Sequence, residues 1–190
     1  MKILAVDTTS TIFTAVLIDG DKTISTSFEV GKSGHSSLIL PTISELMDMG
    51  DMKPQDLDGV AVVVGPGSFT GIRIGVSALT AMAYGTNAKR VAVNSFELLA
   101  YNRENALCAI DAGHGHTYVA KVENGEIISM DFVEEKDRNT LPEDMVTTTS
   151  CSATETLDKV VRKKWMNGEF VKVFEPFYMR KSQAERNNEI

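Results

Sequence analysis

The chain has 190 residues, 43% of them hydrophobic, and a formal net charge of −7. That length suits one large or two small domains, and the acidic balance argues against a general nucleic-acid binder. No apolar run approaches the roughly 20 residues needed to span a bilayer, and the first strand meets Asp7 and a threonine cluster too early for a signal peptide, so a soluble, cytoplasmic protein is expected. Cys108 and Cys151 belong to no C-x-x-C pair and read as free thiols in a reducing compartment.

In chain order, residues 2–7 form a short apolar strand ending in the carboxylate of Asp7, and residues 8–11 a polar turn. Strands over residues 13–18 and 23–30, joined at Asp19-Gly20-Asp21, complete an antiparallel meander. A helix is expected from Ser36 or Ser37 to Met49, apolar at Leu38, Ile39, Ile43, Leu46 and Met47 and stopped by Gly50. Pro41 marks either its start or a bend.

Residues 60–64, Val-Ala-Val-Val-Val, read as a buried strand. Gly65, Pro66 and Gly67 make a sharp turn, and Ser68 caps a helix reaching Gly85. Gly71 and Gly75 lie four apart on that helix, with Ala78 and Met82 continuing the same face. Each glycine costs a helix interior roughly 1 kcal/mol relative to alanine. A strip of bare backbone therefore calls for a closely packed neighbour, either another helix of this chain or another molecule. The opposite stripe, Ile72, Val76, Leu79 and Ala83, suits a core. No lysine follows Gly71 as a Walker loop requires, and Gly65, Gly67 and Gly71 miss the dinucleotide fingerprint by one position. A generic anion site at the helix N-terminus is what remains.

Residues 90–93 form a further strand, and Asn94 or Ser95 caps a helix to Tyr101. The order is then β-β-β-α-β-α-β-α, after which the pattern restarts. Leu107-Cys108-Ala109-Ile110-Asp111 echoes Ile3-Leu4-Ala5-Val6-Asp7, followed again by a polar turn, a strand over 117–122, a hairpin turn at Glu123-Asn124-Gly125-Glu126 and a strand over 127–133. Two domains are expected, residues 1–103 and a smaller one over residues 104–190. The latter continues with a polar stretch, a helix over 154–166 stopped by Gly168, a strand over 170–174 and a tail. Residues 1–150 carry 11 Lys/Arg against 20 Asp/Glu, whereas residues 151–190 carry 8 against 6. Arg162-Lys163-Lys164 and Arg180-Lys181 in that basic end read as a solvated helix face or as an RNA contact.

The strand ending in aspartate, the threonine turn, the meander and the duplicated half together resemble the actin, sugar-kinase and heat-shock-chaperone superfamily. That resemblance implies an α/β, ribonuclease H-like duplicated fold, here with a reduced second half. Within it, Gly65-Pro66-Gly67-Ser68-Phe69-Thr70-Gly71-Ile72-Arg73 resembles the signature of the TsaB (YeaZ) family. Met1 to Thr8, His35 with Leu40-Pro41, Ala109-Ile110-Asp111-Ala112 before Tyr118, and Tyr178-Met179-Arg180 with Ala184-Glu185 match in the same order.

The resemblance implies a non-catalytic scaffold that pairs with the transferase TsaD, which places a threonylcarbamoyl group on the adenosine beside the anticodon of tRNA. A helper ATPase, TsaE, is the implied third protein, and the isolated chain is expected to form a homodimer. Pairing is implied through the helices over residues 36–49 and 68–85. Gly71, Gly75 and Ala78 would admit a close partner, and Ile39, Ile43 and Met82 would anchor it.

No catalytic residue, metal ligand or cofactor is expected. His35 stands alone, with Ile39 where the second histidine of TsaD's metal pair would fall, and one histidine cannot supply three ligands. His114 and His116 read as loop residues. Where the superfamily has a glycine after its first aspartate, Thr8-Thr9-Ser10 stand here. Asp7, Thr8, Thr9 and Asp111 are the candidates for any retained nucleotide site. Asp7 either holds Mg²⁺ through water or hydrogen-bonds its own turn. The alternative function is a metal-dependent glycopeptidase or an ATP-binding phosphotransferase. The chain has no His-Glu-x-x-His and no Ser-x-x-Lys, and Ser68 lacks the glycine that a nucleophile elbow needs at position 70.

Overall fold

The computed structural model describes residues 1–31 and 34–180, so Lys181 and the Ala184-Glu185 pair lie outside the described residues. Strands β1 (Lys2–Asp7), β2 (Ile12–Asp19) and β3 (Lys22–Glu29) form the expected meander. β1 also pairs parallel with β4 (Gly59–Gly65), and β4 pairs parallel with β5 (Lys89–Asn94), giving the order β3-β2-β1-β4-β5. Every residue of β4 is buried. Its unbroken apolar run is what a strand covered on both faces requires.

One face is covered by α1 (His35–Met49) and α2 (Phe69–Thr86), where Leu4, Val6, Val60 and Val62 meet Ile39, Ile43, Leu46, Ile72, Val76 and Leu79. On the other face, Ile3, Ala5, Val16, Ala61, Val63 and Val91 meet Leu98 of α3 (Ser95–Ala100) and Leu157, Val160 and Val161 of α4 (Ala153–Met166). Gly59 belongs to this contact, because a Cβ there would run into the Trp165 ring. A second antiparallel sheet, β6 (Ala106–Gly113), β7 (His116–Glu123) and β8 (Glu126–Val133), lays Cys108, Tyr118, Ala120 and Val122 on Phe96 and Leu99 of α3. This is the α/β, duplicated ribonuclease H-like architecture with a reduced second half, since the second meander has no counterpart of β4, α2 and β5 among the described residues.

The structure departs from expectation in three places. α1 begins at His35 behind Gly34, with no side-chain cap from Ser36 or Ser37. Pro41 lies inside the helix on its exposed side, where water tolerates the missing N–H. Residues 170–174 form no strand. Val171 donates its N–H to the Arg90 carbonyl at 2.9 Å, and the chain then leaves the β5 edge to bury Phe174 in the α1–α2 core. The division at residues 103 and 104 separates the two sheets, but α4 returns to the first sheet, so the second sheet is inserted between two helices of the larger core.

Candidate functional site

The turn after β1 is held by its own side chains. Both the N–H and the hydroxyl of Thr9 donate to Oδ1 of Asp7, at 2.8 and 2.7 Å. Burial pushes the Asp7 carboxyl above its ordinary value, against the opposing effect of the two Thr9 bonds and of nearby His35. The corresponding turn of the second meander repeats the bond, with the Gly113 N–H donating to Oδ1 of Asp111 at 2.8 Å. Asp7 and Asp111 thus both shape their own turns.

The N-terminus of α2 closes over the first turn. The Ser68 N–H donates to the Thr9 carbonyl at 2.7 Å, and the Ser68 hydroxyl caps α2 by accepting from the Gly71 N–H at 3.2 Å. Thr8 and Thr9 are buried. A phosphate site needs free N–H groups and room for an anion, whereas those of Thr9, Ser68 and Gly71 are already bound. Those three N–H groups are therefore taken up within the chain, and the bonds of Asp7, Thr8 and Thr9 lock the turn.

The bare face of α2 is filled by the same turn. The Thr8 hydroxyl donates to the Gly71 carbonyl at 2.7 Å. A Cβ on Gly71 would run into the Thr8 carbonyl oxygen, and one on Gly75 would lie 2.5 Å from Thr8 Oγ1 and 3.2 Å from Val62. The close neighbour required by Gly71 and Gly75 is thus the β1–β2 turn of this chain. That corrects their assignment to a partner surface. Ile39 and Ile43, expected as anchors, are 3% and 5% exposed in the first core and are likewise unavailable. Ala78 and Met82 are half-buried at the margin of that core. The exposed stripe of α2 is Thr70, Arg73, Ser77, Ala81 and Tyr84, beside an α1 that exposes Leu40 and Met49.

His35 donates from Nε2 to the Ser10 carbonyl at 2.8 Å, which pins the start of α1 to the β1–β2 turn, and its Nδ1 is buried with no hydrogen-bond partner among the described residues. His116 Nδ1 accepts from the Glu135 N–H at 3.1 Å. Among the described residues no three His, Cys, Asp or Glu side chains come together to hold a metal.

Two of the three basic residues of Arg162-Lys163-Lys164 are engaged within the chain. Arg162 donates to Asp158 at 2.8 Å and to the Gly20 carbonyl at 2.6 Å, clamping α4 to the β2–β3 hairpin. Lys164 lies between Glu97 and Glu169, at 2.7 and 2.8 Å. Of Arg162-Lys163-Lys164 only Lys163 is exposed, so the expected solvated face is mostly a set of internal ties. Residues read in sequence only as a tail motif also acquire contacts. Tyr178 packs on Phe69 in a tilted ring contact with centroids 4.8 Å apart, and Arg73 donates from Nε to its hydroxyl at 2.9 Å.

A family model described as "TsaD: tRNA N6-adenosine threonylcarbamoyltransferase" matches residues 28–136. The chain is 38% identical over 102 residues to "tRNA threonylcarbamoyladenosine biosynthesis protein TsaB" of Bacillus subtilis (strain 168), a match covering 54% of this chain and 44% of that protein. To the protein of the same name from Escherichia coli (strain K12) it is 33% identical over 132 residues, covering 66% and 57% respectively. It thus spans about half the length of the curated relatives it matches. Among solved structures, YeaZ from Pseudomonas aeruginosa superposes with a TM-score of 0.77 at 22% identity, covering 93% of this chain and 99% of that one, which establishes a shared fold. The chain belongs to the family that the matched model describes, and within it to the TsaB (YeaZ) branch.

Proposed function

We propose that this chain is a non-catalytic subunit in tRNA threonylcarbamoyladenosine biosynthesis, acting in the cytoplasm as the partner of the transferase TsaD, with TsaE joining the pair. Its curated relatives carry that pathway in their names. The observation that supports the non-catalytic reading is the self-bonded β1–β2 turn, where Asp7 accepts from the Thr9 N–H and the Ser68 and Gly71 N–H groups find acceptors within the chain.

The model named for the transferase covers residues 28–136, which include α1 and α2. Two chains built on the same helix pair present related surfaces, so a self-pair and a mixed pair can use one face. In this reading the contact lies on the exposed stripe of α2, at Arg73, Ser77 and Ala81, with Ala78 and Met82 at its margin and Leu40 on α1. Residues 1–103 form the pairing half, and residues 104–190 the smaller half.

The test is co-purification with the transferase of the same organism, followed by tRNA modification with and without this chain. A stable pair and modification that depends on it are the expected results. Full modification without this chain would refute the role. Saturable ATP binding or hydrolysis by the isolated chain would move the balance to the phosphotransferase alternative.

A further inference from the structure

Besides the face it lays on α3, the second sheet is tied to the rest of the chain at two opposite places. Near β6, Arg103 donates to the Thr148 carbonyl at 3.2 Å and the Ser150 hydroxyl to the Tyr101 carbonyl at 2.9 Å, while Val146 bonds to Leu107 and Ala109. The chain enters and leaves this sheet there, between α3 and α4. The opposite edge strand, β8, receives a different kind of tie, made by the C-terminal segment.

That segment runs from one core to the other. Phe174 is buried among the residues of α1 and α2. The Phe177 N–H donates to the Val64 carbonyl at 2.8 Å. Its own carbonyl oxygen would lie 2.6 Å from a Cβ on Gly65, whose φ of +114° also favours glycine. Tyr178 then packs on Phe69 and accepts from Arg73, whose guanidinium carbon sits 3.9 Å from the Phe69 ring centroid. One residue on, Met179 packs with the inner face of the second sheet, and Arg180 lies 4.7 Å over the ring of Phe132 in β8. Beyond its pairing with β7 and the packing of Ile127 and Phe132, β8 is thinly held. Ile128 and Met130 are 51% and 42% exposed, and Asn94 reaches Met130 Sδ at 3.8 Å.

From these contacts we infer that residues 177–180 are a latch, anchored in the larger core by Phe174. The segment holds the free edge of the second sheet against the β4–α2 junction, opposite the entry and exit of that sheet, and Tyr178 on Phe69 and Arg73 is its catch. The catch is built from one hydrogen bond, one tilted ring contact and the Arg73 guanidinium 5.8 Å from the Tyr178 ring centroid, all at the surface, so it opens at far lower free energy than the cores it joins. Its release frees β8 and the Gly65–Gly67 turn together while the first sheet stays folded. Arg73 is shared with the stripe proposed for pairing, but the latch is a property of the isolated chain and is tested without any partner.

Amide hydrogen exchange on the full chain tests it with two mild variants, Tyr178→Phe, which removes only the hydroxyl, and Arg180→Met, which removes only the charge. The expected result for both is exchange faster on the order of tenfold in β8, and for Tyr178→Phe also at residues 65–69, with β1 unchanged; tenfold is about what one lost hydrogen bond gives. Acceleration confined to residues 176–180 overturns the latch, because the tail is then merely seated on the surface. Acceleration that extends to β1 overturns it too, because the segment is then part of the global core.

Discussion

Thr8 and Gly71 meet across the molecule twice: the threonine hydroxyl donates to the glycine carbonyl at 2.7 Å, and the threonine carbonyl occupies the space a Cβ on Gly71 would need. The first turn of the sheet and the first turns of α2 are therefore one packed unit, with Gly75 continuing the contact against the Thr8 side chain and Val62.

Gly71→Ala and Gly75→Leu are expected to destabilise the isolated chain. Removing a helical glycine gains about 1 kcal/mol of propensity, but Gly71 faces the Thr8 backbone, and Gly75 faces the Thr8 hydroxyl, held by its bond to Gly71, and the buried Val62, none of which yields as a flexible side chain would. Overpacking of about 3 kcal/mol wins. The net loss, about 2 kcal/mol or more, is read in denaturant unfolding. Wild-type stability in Gly75→Leu would mean the Thr8 contact is absent.

Asp7→Asn should leave the fold intact and be neutral or stabilising near pH 7. The amide oxygen still accepts the Thr9 bonds, and the buried charge is gone. Because the folded pKa of Asp7 is raised above 3.8, the folded state holds its proton longer than the unfolded chain. The contribution of Asp7 is thus fully present below pH 3.8 and is lost as pH rises through the folded value. Stability measured across that window should fall less with pH in the variant than in the wild type; an equal slope would remove Asp7 as the cause.

Lys164→Met should cost about 1–2 kcal/mol near neutrality, allowing for partial solvent screening. Burial alone would lower the lysine pKa, but its bonds to Glu169 and Glu97 outweigh that and raise it above 10.5. Glu97 also accepts from the Asn94 N–H at 2.7 Å, so this lysine links α4 to the cap of α3. The advantage of the wild type is fully present below pH 10.5 and disappears as pH rises through the folded value. Thermal unfolding of both forms at pH 7 and at high pH decides it.

Ala81→Arg on the exposed stripe of α2 should change stability by less than about 0.5 kcal/mol while weakening pairing with the transferase. Co-elution in gel filtration measures the second effect and an unfolding curve the first. Normal pairing with an arginine at that position would move the contact to another surface.

Much of the fold was legible because short apolar runs, turn residues and caps are local signals. The strands of both meanders, the Ser68 cap and the echo of Asp7 at Asp111 all follow from neighbours in sequence. The segment at residues 170–174 misled because Phe174 is drawn into a core formed by α1 and α2. No local pattern carries that pull, and it took the chain away from the β5 edge after one bridge.

By itself the sequence determined that something must lie flush against Gly71 and Gly75, since two helical glycines on one face are otherwise a net loss. What fills the space was decided by tertiary structure alone. Thr8 is 63 residues from Gly71 along the chain, and only the parallel pairing of β1 with β4 brings its turn to the head of α2. Local spacing encodes the shape of a surface, whereas the identity of its occupant depends on which distant segments the sheet places side by side.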